Sequence, residues 1–559
     1  MNTNTTRQTD IEKIDLTKNI AVIGGGYIGL KTASRISESG YHVVLAPQQA
    51  AVNAQPAVPG VPLTGNDRLK SLKKEVENNT GIEILPQSTL VESQGMPGDF
   101  TLKFLSADTL IEKKAGAVVV ATDISASPLN HIYGLAPASN VVSLSEFETL
   151  LRSPEAIKEI QTGKKTIAFL VGFAHPGTPL LMKRVLNSVS EIAGIAECTA
   201  YVYINDLKVA DNGLERLYKQ CRDNGAIYFK LQQAPMIKQE NETLLVTFHD
   251  PVLRNDIELN PDIIVYEENL IADNANVSLS ETLGIDLGPM GFLQKENVHR
   301  LPVNSNREGI FVVGGSRDVQ SLSKSCTDID NMVLRVKQLI GDGTRTVSAK
   351  AVVDREKCTI CLTCYRCCPH GAISWDDKAI ISPVACQGCG ICASECPMDA
   401  IQLVDFTDTE IVGRIKDAAA GEAANTLKIL AFCCQNSAYE AAMAAKTFNY
   451  DLPAGLQLIK MPCAGKIDIH YILDALVEGA DGVLVLACHP GNCKSESGNT
   501  YAQWRINDAY RKLEQIGIKK DCLEFSTLAS NMASDFARIV IDMERRISQK
   551  KIDHYSDND

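Results

Sequence analysis

Asn19-Ile-Ala-Val-Ile-Gly24-Gly-Gly26-Tyr-Ile-Gly29 decides how the N-terminal half of this chain folds. A strand-type apolar run meets three glycines at G-x-G-x-x-G spacing, and a helix-forming segment, Ile28–Ser39, follows. Glycines at that spacing let the backbone approach a pyrophosphate at the helix N-terminus. Downstream, apolar runs at His42–Leu45, Gly116–Ala121, Thr166–Val171, Ala200–Ile204, Leu244–Phe248, Ile263–Tyr266 and Gly309–Val313 predict further strands, with a helix over Leu180–Ala193. Strand–helix alternation of this kind predicts a doubly wound α/β fold.

Two later stretches resemble two-dinucleotide-domain flavoproteins. Val118-Val-Val-Ala121-Thr122-Asp123 is similar to their strand-and-turn, and Gly309-Ile-Phe-Val-Val-Gly314-Gly315 to the late strand that passes the flavin. The resemblance implies FAD held by Gly24, Gly26, Gly29, Ala121, Thr122, Gly314 and Gly315. An acid normally ends the second strand of such folds; here that place falls near Pro47, and Gln48 is the substitute. The late motif also lacks its acid after Gly314, so a fold that has lost its flavin is the competing reading. Gly172-Phe-Ala-His-Pro-Gly177 lacks the glycine fingerprint, which argues against direct NAD(P)H oxidation.

The most specific signal is a repeat. Cys358-Thr-Ile-Cys361-Leu-Thr-Cys364-Tyr-Arg-Cys367-Cys368-Pro369 is matched by Cys386-Gln-Gly-Cys389-Gly-Ile-Cys392-Ala-Ser-Glu-Cys396-Pro397. Each is a C-x2-C-x2-C-x3-C-P run, in which the fourth cysteine ligates the other cluster of a two-cluster ferredoxin. Cys358, Cys361, Cys364 and Cys396 are therefore expected on one [4Fe–4S] cluster, and Cys386, Cys389, Cys392 and Cys368 on the other, with Cys367 surplus. Zinc takes separated C-x2-C pairs instead.

A second cysteine set follows the predicted strands Leu427–Phe432, Leu456–Lys460 and Gly482–Ala487. Helices are expected over Ser437–Lys446, Ile467–Glu478 and Ala502–Ile516. Cysteine-bearing turns at one end of a parallel sheet converge, and a [2Fe–2S] cluster needs four thiolates. Cys434, Cys463, Cys488 and Cys493 are the expected four, with Cys433 the rival for Cys434; a redox disulfide or zinc is the alternative. His489 is expected in a supporting role.

These blocks, in this order, resemble the flavin-bearing A component of heterodisulfide reductase fused to the delta (iron–sulfur) subunit of methyl-viologen-reducing hydrogenase. Further blocks that carry the resemblance are Tyr133-Gly134, Val141-Val-Ser-Leu-Ser-Glu-Phe-Glu, Gly213-Leu-Glu-Arg-Leu-Tyr, Pro462-Cys463-Ala-Gly and Cys488-His-Pro-Gly-Asn-Cys493. The first family carries additional cysteine ligands after its second strand, whereas Gln48–Lys70 has none here. A reduced fusion of this kind looks like the B component of the quinone-interacting membrane-bound oxidoreductase (Qmo). The resemblance implies an electron relay between membrane quinone and adenylylsulfate reductase in sulfate reduction. Its partners would be the other subunits of the complex, among them a quinone-reactive cytochrome. The alternative is a heterodisulfide-reductase-type subunit for flavin-based electron bifurcation, coupled to hydrogenase or formate dehydrogenase.

The expected fold class is α/β: a two-dinucleotide-domain flavoprotein fold, then a 2[4Fe–4S] ferredoxin module and a C-terminal α/β iron–sulfur domain. Expected boundaries are a flexible tail over 1–18, an FAD-binding domain over 19–164 and 250–345, and an inserted lobe over 165–249. The ferredoxin follows over 350–406, the delta-subunit-like domain over 426–548 and a disordered tail over 549–559, with Asp417–Asn425 a linker. Composition agrees: of 18 cysteines in 559 residues, 14 lie between Cys358 and Cys493, without a signal-peptide pattern, which favours metal ligation in a reducing cytoplasm over disulfides. A net charge of −13 without basic runs argues against nucleic-acid partners, and no stretch is apolar for long enough to span a membrane.

Overall fold

The computed structural model describes residues 11–48, 65–161, 165–193, 195, 198–240, 243–250, 253–294, 297–420, 426–518 and 520–556. Its first sheet is parallel, in the spatial order Ile310–Val312, Ala117–Val120, Asn19–Ile23, His42–Ala46, Ile82–Ile84. Strands buried on both faces read as unbroken apolar runs, which is why Ala-Val-Ile and Val-Val-Val are legible as strands without alternation. Helices Tyr27–Glu38 and Leu322–Ile340 cover one face through Leu30, Ala33, Ile36, Met332 and Val336. An antiparallel meander, Thr89–Met96, Asp99–Ser106 and Thr109–Ala115, covers the other with Phe100, Leu102 and Phe104. The central strand Asn19–Ile23 has one neighbour on each side that follows it in sequence, so its carboxyl end is a topological switch point.

An antiparallel ribbon, Ile124–Pro128 with Glu268–Ala272, leads to a second parallel sheet and back. That sheet runs Val141–Ser143, Ile263–Tyr266, Thr166–Val171, Thr199–Ile204, Ile227–Lys230. The lobe is therefore wider than the 165–249 expected from the sequence: Val141–Ser143 and Ile263–Tyr266 pair with it and not with the first sheet. Apolar runs disclose strands; which sheet a parallel strand joins depends on non-local pairing.

In the ferredoxin module two short ribbons, Ala351–Val353 with Ile401–Leu403 and Ile373–Trp375 with Ala379–Ile381, frame helices Thr363–Cys367 and Ile391–Ser394. The C-terminal sheet is parallel, ordered Leu456–Met461, Ile429–Cys434, Gly482–Ala487, Leu523–Thr527.

Three peripheral expectations change. Within the supposed N-terminal tail, Ile11–Asp15 pairs antiparallel with Thr344–Ser348; residues 1–10 lie outside the described residues. The supposed linker begins inside helix Asp408–Ala419, whose Ile411 and Ile415 pack on the C-terminal core, and 421–425 lie outside the described residues. The last helix, Ala533–Ser556, continues into the stretch expected to be disordered, because Phe536, Val540, Met543 and Ile547 anchor its earlier turns and a charged run can extend a nucleated helix; 557–559 lie outside the described residues. Among the described residues, no helix is long and apolar enough to cross a membrane.

Candidate redox sites

At the switch point the expected flavin residues gather. A Cβ on Gly24 would lie 2.1 Å from the Ala121 carbonyl oxygen, and one on Gly29 would lie 2.2 Å from the Gly24 oxygen. These two glycines therefore serve the packing of the loop on its neighbours. Gly315 meets the Thr122–Ile124 backbone at 2.9 Å in the same test, and Gly314, at φ +62°, meets Ile28 at 2.8 Å. Thr122 Oγ1 donates to Asn276 Oδ1 at 2.7 Å, which fixes the turn. Gln48 is buried just past the second strand, and among the described residues its Nε2 has no partner, leaving a free donor where the acid of related folds stands.

Helix Tyr27–Glu38 has no side-chain cap and no acid in its first turn, so its amides remain for an anion. The residues present thus fit a dinucleotide, with the glycine-loop amides at its phosphates and Gln48 as a polar contact. Sequence reasoning missed one group. A Cβ on Gly26 would sit 1.7 Å from Asp123 Oδ2, so a carboxyl lies against the same helix end. Burial, then the nearby Asp273 charge, pushes that carboxyl up to about 6.

In the ferredoxin module, Cys358, Cys361, Cys364 and Cys396 line one small cavity. The other four also gather: burial first, then Cys389, Cys368 and Cys386 as neighbours, pushes the Cys392 thiol well up. The two loops wind alike. Ile360 and Leu362 have φ of +54° and +59°, and Gly388 and Gly390, at the equivalent places, have +67° and +78°. Each loop makes a left-handed turn twice, the second with glycine and the first with strained side chains, a winding that would suit three thiolates wrapped about one centre. Backbone amides of Ala372, Gly388 and Ala400 point at the sulfurs of Cys368, Cys386 and Cys396, each at 3.4 Å. Such contacts stabilise negative sulfur. Cys367 is buried beside the second set, its sulfur turned to the Cys364 carbonyl at 3.5 Å, and burial pushes its thiol up to about 12.

The C-terminal strands bring Cys434, Cys463, Cys488 and Cys493 together. Cys434 and Cys488 sulfurs are 3.6 Å apart, those of Cys463 and Cys493 4.0 Å. Hydrogen bonds from Cys463 and Cys488 hold the Cys434 and Cys493 thiols well below the usual thiol range, and the same contacts push Cys463 and Cys488 above it. Adjacent Cys433 points to the opposite face, into the core of Ala438, Ala441 and Phe536, because successive strand residues alternate. His489 turns away: Nδ1 meets Thr527 Oγ1 at 2.9 Å and Nε2 meets Met532 Sδ at 3.2 Å. Gly498, a residue that no motif singled out, backs the set; a Cβ there would lie 2.3 Å from Cys463 Sγ. Among the described residues, no three His, Cys, Asp or Glu groups close on one point as ligands of a single metal ion do.

The two cysteine-rich regions abut. Cys389 of the second ferredoxin loop packs against the C-terminal core and lies close enough to Cys493 to feel its charge. Arg505 clamps the seam, reaching Glu395 Oε1 at 2.6 Å and the Gly465 and Ile467 carbonyls at 2.8 and 2.9 Å. Ser394 Oγ donates to the Lys466 carbonyl at 2.8 Å. The flavoprotein part joins the same seam through Asn297 Nδ2, 2.8 Å from the Cys493 carbonyl.

Residues 429–550 match the family model for the methyl-viologen-reducing hydrogenase delta subunit. The vhu iron–sulfur subunit of the F420-non-reducing hydrogenase of Methanocaldococcus jannaschii is 36% identical over 22% of this chain and 90% of that protein. Through this domain the chain belongs to the hydrogenase delta-subunit family. Upstream of the delta-subunit domain, residues 2–135 match the pyridine nucleotide-disulphide oxidoreductase model and 379–402 the 4Fe-4S binding domain. The A component of the ferredoxin:CoB-CoM heterodisulfide reductase of Methanosarcina mazei is 21% identical across 95% of this chain and 80% of its own length. Lactococcus lactis thioredoxin reductase overlays 58% of this chain and 99% of its own with a TM-score of 0.37 at 15% identity. The chain is thus a flavoprotein similar to that heterodisulfide reductase component, with a 4Fe-4S motif, joined to a delta-subunit domain.

Proposed function

We propose that this chain is the electron-relay subunit of a multi-subunit redox complex, holding FAD, two [4Fe–4S] clusters and one [2Fe–2S] cluster. Those groups supply one-electron chemistry, and FAD also couples electron pairs to single electrons. The chain's own residues hold the two cysteine sets side by side. What carries the reading is that seam: the second ferredoxin loop lies on the C-terminal cysteine set, bolted by Arg505 and Glu395. The mutually contacting thiols of Cys434, Cys463, Cys488 and Cys493 offer the four thiolates that a two-iron centre takes.

Within that reading the complex is of Qmo type, passing electrons between membrane quinone and adenylylsulfate reductase from the cytoplasmic side, attached to the membrane through its partner subunits. The delta-subunit domain favours a second reading, a heterodisulfide-reductase-type bifurcating subunit fed by hydrogenase or formate dehydrogenase. Anaerobic isolation of the native complex tests both. A b-type cytochrome among the partners selects the first, and a hydrogenase or formate dehydrogenase the second. About ten iron atoms per chain are expected. In the complex, Cys463→Ser should abolish transfer between partners while their separate half-reactions persist. Undiminished flow without the [2Fe–2S] resonance would refute the relay.

A further inference from the structure

The second lobe has the architecture of a dinucleotide domain. Its strand Thr166–Val171 sits between Ile263–Tyr266 and Thr199–Ile204, so the carboxyl end of Thr166–Val171 opens on a switch-point crevice, where such folds bind their ligands. Gly172, at φ +82°, turns the chain there so that three successive backbone amides converge. An amide nest of this kind binds anions.

The nest is filled from within. Glu267, 2% exposed, follows the neighbouring strand, and its carboxylate accepts from the Gly172 amide at 2.5 Å and from the Phe173 and Ala174 amides at 3.1 Å each. Tyr133 Oη donates a fourth hydrogen bond at 2.5 Å. The next residue, Glu268, is buried on Arg184 at 3.1 Å and accepts from Ser145 Oγ at 2.7 Å; Arg184 is also paired with Glu148 at 2.9 Å. Tyr133 lies just past one strand of the inter-domain ribbon, and Glu267 just before the other. The same contacts therefore fill the nest and tie both ribbon crossings to the lobe.

We propose that Glu267 is a built-in anion occupying the pyrophosphate position of the second dinucleotide domain. It closes the lobe to NADH and NADPH and fixes the lobe on its ribbon. A phosphate entering the nest would face a carboxylate that already uses every inward amide, so binding would require expelling a buried, four-coordinate group. Electrons then enter this chain by routes other than a nicotinamide in this lobe. The proposal rests on the lobe alone and is independent of the cluster assignments.

The test uses the full chain with its clusters intact. Titration with NADH and with NADPH, followed by nicotinamide fluorescence, should give no saturable binding that alters amide exchange at 172–174. Hydrogen–deuterium exchange should find the Gly172, Phe173 and Ala174 amides protected. In Glu267→Ala they should exchange about tenfold faster or more, while Thr166–Val171 is unchanged. Millimolar inorganic pyrophosphate should restore their protection in that variant and do nothing in the parent. Tyr133→Phe, the milder variant, should leave the three amides protected. Saturable nicotinamide binding at these amides in the parent would overturn the proposal. Exchange indifferent to the loss of Glu267, or no rescue by pyrophosphate, would do so as well.

Discussion

Gly498→Ala should dislodge the C-terminal cluster while sparing the rest of the chain. Gly498 begins helix Gly498–Gln515 and its φ is outside the left-handed region, so the backbone accepts alanine without strain. The obstacle is a sulfur. The added Cβ would stand 2.3 Å from Cys463 Sγ and 3.4 Å from Cys493 Sγ, and 3.4 Å is the lower edge of ordinary contact. The Cys463 sulfur must therefore retreat by about 1 Å, or the helix must lift by as much, in a core where Cys463 is 1% exposed. Overpacking of one methyl costs about 1–3 kcal/mol, and alanine returns little of this at a first helical position, where few intrahelical bonds depend on it. Charged against cluster binding, that is roughly a five- to 150-fold loss of retention. Iron analysis and electron paramagnetic resonance of the dithionite-reduced chain report it. The variant should lose the [2Fe–2S] signal in part or whole, keep both [4Fe–4S] signals and unfold within a few degrees of the parent. Full iron with an unchanged [2Fe–2S] spectrum would show that Cys463 does not hold that cluster.

Two further outcomes follow from single side chains. Cys434→Ser should remove the C-terminal cluster, whereas Cys433→Ser should retain it and cost stability alone, since Cys433 faces the opposite core; loss of the resonance in Cys433→Ser would reverse the assignment. Asp123, raised from 3.8 to about 6, binds its proton more tightly folded than unfolded, so its contribution to stability is complete below pH 3.8 and lost as pH rises through about 6. Asp123→Asn should flatten that part of the stability profile and retain FAD more firmly at pH 8 than the parent does, because an ionised Asp123 opposes phosphate at the helix end; equal flavin retention at pH 5 and pH 8 in the parent would count against it.

Much of the molecule could be read before folding because its signals are local. The cysteine sets expected for the ferredoxin follow from spacing along a short loop; in the fold Cys358, Cys361, Cys364 and Cys396 line one cavity, and Cys392 has Cys386, Cys389 and Cys368 as neighbours. The runs at Asn19, Thr166, Ile263 and Gly482 are strands because doubly covered parallel strands are apolar throughout. The glycine loop was legible for the same reason, as one strand, one turn and one helix in succession.

What the sequence left open concerned faces, neighbours and distant partners. It favoured Cys434 and kept Cys433 as its rival; in the fold Cys434 shares a core with Cys463, Cys488 and Cys493 while Cys433 faces the other side, since adjacent strand residues point oppositely. It showed strands at 141–143 and 263–266 but not the sheet they join, because parallel pairing links residues more than a hundred positions apart. Gly498 gained its meaning from a sulfur 35 residues away, and Glu267 from amides more than 90 residues upstream. Metal spacing and apolar runs are properties of contiguous chain, so the sequence alone determined them. Which carboxylate fills a nest, and which glycine backs a buried cysteine, are set by packing between segments, and only the tertiary structure decided those.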